Sequence, residues 1–157
     1  MKNILTILVF IIFCISIVII TSGKSFMTSP LFSAMLISFL IHLMMFIPSN
    51  ALKTEKMYDI TGTVSFIALI LYTFLSKENF FDFQSNVRAI VLVTIIILWT
   101  LRLGFFLLYR ILKAGEDKRF FYLKQNTLSF LVPWTLSAVW VFISLGPALI
   151  AISSLDK

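Results

Sequence analysis

An arginine buried in a long apolar run is the residue of this sequence best placed to do chemistry. Arg102 sits about 13 residues, ~20 Å at helical rise, into a continuous run over 89–112. A lipid-facing charge at that depth costs at least ~2.5–3.5 kcal/mol, so something polar should meet it. On a helical wheel Trp99, Arg102, Phe106, Arg110 and Lys113 fall within about 80° of one another, a cationic and aromatic stripe that suits an anion. The alternative is that Arg102 snorkels or pairs with a buried acid, and that Arg110 and Lys113 are interfacial anchors.

Two polar segments could work with that stripe. In KAGEDKRFFYLKQN, residues 113–126, Gly115 stops the preceding helix and charges crowd a short loop whose Lys118, Arg119 and Lys124 can meet anionic headgroups. In TEKMYDITG, residues 54–62, Glu55, Tyr58 and Asp59 approach or enter the next apolar run, with Asp59 at its mouth. A carboxylate and a phenol there could orient or protonate a lipid-soluble substrate. The plainer reading is that Thr54 or Asp59 caps the helix and Tyr58 belongs to the aromatic belt. His42, inside another apolar run, reads as an interhelical hydrogen-bonding residue, although an intramembrane ionisable group keeps a claim on function.

The elements that must position these groups follow from composition. Of 157 residues, 60% are hydrophobic and 13% charged, where a soluble domain has about 45–50% and 25%. With 17 Phe and a mean hydropathy of +1.04, the chain has more apolar surface than a core of this size can hide. Apolar runs at 4–22, 31–48, 58–75, 89–112 and 128–152 each approach or exceed the ~18–20 residues a helix needs to cross a bilayer. They are continuous and do not alternate, which argues against a membrane barrel. The expected fold is therefore all-α, a single polytopic membrane bundle of about five helices, in contact with membrane lipids.

Boundary signals refine this picture. The first run is longer than a signal-peptide core and reads as a retained helix. Pro48 marks an end for the second, and Pro147 should kink or end the fifth. Lys2, Lys53, Lys56, Lys113, Lys118, Arg119 and Lys124 fall on one side, against Lys24, Lys77, Arg88 and Lys157 on the other. That bias places the amino terminus and both polar segments in the cytoplasm. The net charge of +6 comes from these connections and not from a solvated basic face, which excludes a nucleic-acid binder. Cys14 is a lone cysteine and His42 a lone histidine, so neither a disulfide framework nor a metal cluster is expected. The sequence contains no GxGxxG or Walker loop, no HExxH and no GxSxG.

Three segments together have a further meaning. TEKMYDITGTVSF, LWTLRLGFFLLYRILKAGEDKRF and WTLSAVWVFISLGP resemble a family of membrane proteins, mostly of unassigned function, that belongs with the steroid 5-alpha-reductases. The likeness covers about residues 54–147, and its most specific part is W-x-x-R-L-G followed by Y-R-I-L and G-E-D-x-R-F. It implies a multi-helix reductase in which NADPH, reached from the cytoplasm, reduces a carbon–carbon double bond conjugated to a carbonyl in a lipid such as a sterol. Matched by motif, Arg102, Arg110, Glu116, Asp117 and Arg119 would belong to the cofactor end, and Glu55, Tyr58 and Asp59 to the substrate end.

Such reductases also carry an R-H-P-N-Y-x-G-E type of motif in their last third, which this sequence lacks. The expectation is a partial or short form that works with a missing carboxyl-terminal segment or a partner subunit. Two other readings stay open: a non-catalytic membrane protein that binds lipid or a partner, and a methyltransferase of the isoprenylcysteine type.

Overall fold

Ser29 shows how the helices are set. Its hydroxyl accepts from the amides of Leu31 (3.1 Å) and Phe32 (3.4 Å), and Pro30 follows at the first helical position, so cap and preset backbone start the helix together. The computed structural model describes residues 2–23, 27, 29–77 and 86–154. It contains α1 (Lys2–Ser22), α2 (Pro30–Ala51), α3 (Tyr58–Leu75), α4 (Val87–Ala114) and α5 (Thr127–Ser154). Two short 3-10 turns, Lys118–Phe120 and Leu123–Gln125, lie between the last two. All five helices are long and apolar enough to cross a membrane, and among the described residues there is no strand. The protein is a multi-pass integral membrane helix bundle. Lys24 and Lys157, used in the charge comparison, lie outside the described residues.

The five apolar runs match the five helices, and Pro48 does not mark the end expected of it. α2 continues through Pro48 to Ala51, and the Pro48 carbonyl accepts from the amide of Leu52 at 2.9 Å. Phe46 and Ser49, on either side of Pro48, are buried, so packing holds the turn that proline disfavours. α5 likewise runs past Pro147, because Leu149 and Ile152 beyond it sit in the core. Gly115 ends α4 as expected, with φ +79° and its amide on the Ile111 carbonyl at 2.9 Å.

α5 is the central helix, packing on α1, α2 and α3 through Phe130, Trp134, Phe142, Leu149 and Ile152. A polar seam crosses the apolar middle. Ser38 of α2 donates to the Ala138 carbonyl of α5 (2.9 Å) and meets the Ser65 hydroxyl of α3 (3.4 Å). His42 donates from Nδ1 to the Ser38 carbonyl (2.8 Å), and its Nε2 meets the Ser137 hydroxyl (3.0 Å). His42 is thus the interhelical hydrogen-bonding residue its position implied. α4 is peripheral, packing mainly on α3, and its outer face is exposed along Leu98, Phe105, Phe106, Tyr109 and Leu112.

Candidate functional site

The α2–α3 connection and the α4–α5 connection meet at one end of the bundle, and Glu55 joins them. The residue is 4% exposed; Oε1 accepts from the Asp117 amide at 2.8 Å and Oε2 from the Lys124 ammonium at 3.1 Å. Glu116 stands at the edge of the same group, 4.0 Å from Lys124. Asp117 opens the first 3-10 turn by accepting from the Arg119 amide at 3.0 Å, and both its oxygens take the Arg119 guanidinium. Phe120 then turns inward beneath the Tyr58 ring, with centroids 4.9 Å apart. Asn126 closes the loop and caps α5 through the amides of Leu128 and Ser129.

These contacts set the protonation of the loop carboxyls. Burial pushes the Glu55 carboxyl up, but the Asp117 amide and the Lys124 ammonium outweigh it and hold it below its ordinary value. The Arg119 guanidinium holds Asp117 below its ordinary value against burial, and Arg119 is raised in return. With both carboxyls depressed, their anchoring of the loop is complete above the ordinary carboxylate range of about pH 4. It is lost as pH falls through the lower folded values. Limited digestion by an acid-active protease should therefore leave residues 115–126 intact at pH about 5 and cut them only below about 4. Cutting that already begins near pH 5 would remove the two carboxylates as the anchor.

The fourth carboxylate among the described residues points elsewhere. Asp59, in the first turn of α3, pairs with Arg110 of α4 at 3.1 Å. Neither it nor Thr54 caps the helix: Met57 is the cap residue, without a side-chain bond, and Thr54 accepts from the Lys56 amide at 3.4 Å. Tyr58 donates to the Pro133 carbonyl at 3.1 Å and packs edge-on against Trp134.

Tyr58 and Asp59 stand at the polar end of a cavity of about 350 Å³ between α3, α4 and α5. The rest of its wall is mainly apolar, with Phe66, Leu103, Leu107, Leu136 and Trp140, and includes the hydroxyls of Thr63, Thr100 and Ser137. Such a volume is within the range of small-molecule sites, about 300–1,000 Å³. Gly104 allows the α3–α4 side to close, because a Cβ there would lie 2.6 Å from Thr63 Cγ2 and Oγ1.

Arg102 is the exception among the residues singled out from sequence. The structure brings Glu55, Glu116, Asp117 and Arg119 together in the loop and sets Tyr58, Asp59 and Arg110 beside it. Arg102 lies eight residues before Arg110, ~12 Å along α4, on the outward face. Among the described residues it has no ion pair or hydrogen bond, so the expected polar partner is not supplied by them. The chain's acids in the described residues sit at the helix ends, out of reach of mid-helix. Arg102 instead lines a groove of about 250 Å³ with Trp99, Leu103 and Phe106. Leu103 borders this groove on one side and the α3–α5 cavity on the other.

Sequence reasoning missed two participants. Lys124 read as a headgroup contact and is instead largely buried against Glu55. Thr100, between Trp99 and Arg102, faces away from the charged stripe and lines the cavity. A family described as a protein of unknown function (DUF1295) matches residues 45–157, from the end of α2 through the loop and α5. No curated protein and no solved structure matches the chain.

Proposed function

We propose, for a chain that belongs to the DUF1295 family of proteins of unknown function, an NADPH-dependent membrane reductase of carbon–carbon double bonds conjugated to a carbonyl in lipid-soluble substrates. The observation that carries this reading is the pair of recesses sharing Leu103: an apolar cavity with a phenol and a carboxylate at its mouth, and a groove lined by an indole and a guanidinium. The first suits the lipid. The second suits a phosphorylated, ring-bearing cofactor.

The donor set fits the cofactor's phosphates. Arg110 and Arg119 are 44% and 65% exposed, and each keeps N–H groups beyond those its carboxylate uses. Arg102 has all of its donors open among the described residues, and guanidinium groups fork onto phosphate oxygens. Glu116 and Asp117 hold the loop that presents Arg119. NADPH, when bound, supplies the hydride. At the substrate end Tyr58 Oη turns its proton from the Pro133 carbonyl to the substrate carbonyl and polarises the conjugated bond. Asp59, fixed by Arg110, sets the charge beside that phenol, and Glu55 secures the loop above it. In this reading the end that carries the loop faces the cytoplasm, as the charge bias of the connections favours.

NADPH titration of the detergent-purified chain tests the cofactor half. Saturable binding is expected for the wild type. Arg102→Leu should weaken it about tenfold or more, the scale of one charge-assisted hydrogen bond, with insertion and helicity unchanged. Unchanged binding would remove Arg102 from the site. The open outward face of α4 also supports a second reading, a non-catalytic protein that binds lipid or a partner subunit, and a folded wild type that binds no NADPH would favour it.

A further inference from the structure

The cavity has a second polar end. Thr100 of α4 lines it, is 2% exposed, and among the described residues its hydroxyl has no hydrogen-bond partner. Threonine in a helix normally returns its hydroxyl to the carbonyl four residues earlier. Thr61, Thr63 and Thr73 of α3 do so, as does Thr94 on α4 itself. Thr100 does not. The other polar side chains in the lining are engaged: Thr63 with the Asp59 carbonyl, Ser137 with His42, Tyr58 with the Pro133 carbonyl and Asp59 with Arg110. A buried hydroxyl left unsatisfied destabilises the folded chain, and a ligand oxygen would satisfy it.

The lining also gives the separation of the two ends. It runs from Tyr58 to Phe66 on α3 and from Leu107 back to Thr100 on α4. Those eight and seven residues of helix are ~12 and ~10 Å. We infer that the cavity takes a two-ended lipid, with one oxygen at the Tyr58 mouth, an apolar body, and a hydroxyl or ketone about 10 Å away received by Thr100. This rests on the reading of the cavity as the substrate site, and it adds a requirement which that reading does not contain.

Binding without cofactor tests the requirement separately from turnover. Two probes suffice: a steroid enone with a hydroxyl on the ring remote from the enone, and its analogue lacking that hydroxyl. Binding is followed by tryptophan fluorescence, to which Trp140 in the cavity wall contributes, and checked by equilibrium dialysis. The wild type should bind the hydroxylated probe about 3- to 10-fold more tightly, the range of one neutral hydrogen bond. Thr100→Val, close in shape, should bind both at the weaker affinity, and Thr100→Ser should restore the preference. Equal binding of the two probes by the wild type, binding of neither, or a preference that survives in Thr100→Val would overturn the inference. A preference that follows the hydroxyl in a chain that reduces neither probe would support it and count against the reductase reading alone.

Discussion

Glu55→Ala should unfold the polar end of the bundle. Glu55 gathers two bonds from a segment more than sixty positions away, and both are lost together. Lys124, 17% exposed, would keep its charge with only Glu116 at 4.0 Å to face it. Breaking a buried pair by removing one partner costs about 3–5 kcal/mol, because the remaining charge stays desolvated. The Asp117 amide would lose its acceptor as well, which loosens the 3-10 turn that holds Arg119 and the Phe120 ring under Tyr58. The expected readouts are a lower unfolding temperature in detergent and rapid proteolysis within 115–126. The helices should remain, since the apolar core around α5 lies below the loop. Glu55→Gln separates the two bonds: an amide oxygen can still accept from Asp117, while the charge opposite Lys124 is gone. It should fall between wild type and Glu55→Ala. If the glutamine and alanine variants behave alike, the ion pair carries the anchoring; wild-type stability in Glu55→Ala would remove Glu55 from it altogether.

The contrast between what the sequence made visible and what it hid has a physical basis. Each span was readable because a continuous apolar run near 20 residues has few other uses, and no tertiary knowledge is needed to see one. The helix stop at Gly115 was readable for the same local reason. Pro48 misled because the rule for proline is local, whereas the turn around it is held by Phe46 and Ser49 packing inside the bundle. Glu55 and Lys124 could not be paired from spacing, since 69 positions separate them. Likewise the pairing of Asp59 with Arg110 depends on α3 and α4 being neighbours, which hydropathy does not determine. The charged stripe on α4 was found by angle alone. That same angle hid Thr100, because a hydroxyl carries no hydropathy signal and its significance lies in a missing bond.

Gly104→Ala is expected to disturb the α3–α4 contact, which alanine at the other glycines would leave without a close clash. The new Cβ would stand 2.6 Å from both Thr63 Cγ2 and Oγ1 and 3.1 Å from Thr63 Cβ. Thr63 cannot easily turn aside. It is β-branched, with few χ1 choices in a helix, and its hydroxyl is held by the Asp59 carbonyl at 3.2 Å. Either that bond breaks or the helices separate, and overpacking of this kind costs about 1–3 kcal/mol. Alanine's better helix propensity returns no more than about 1 kcal/mol of this. Separation would also move Leu103 and Leu107 in the cavity wall, so weaker binding of an enone probe should accompany the loss of stability. A double-mutant cycle identifies the cause. Thr63→Ala removes both atoms at 2.6 Å and leaves a Cβ contact that small shifts can relieve. Gly104→Ala with Thr63→Ala should therefore be more stable than Gly104→Ala alone, a coupling that independent sites would not show. Strict additivity of the two changes would place the clash outside this contact.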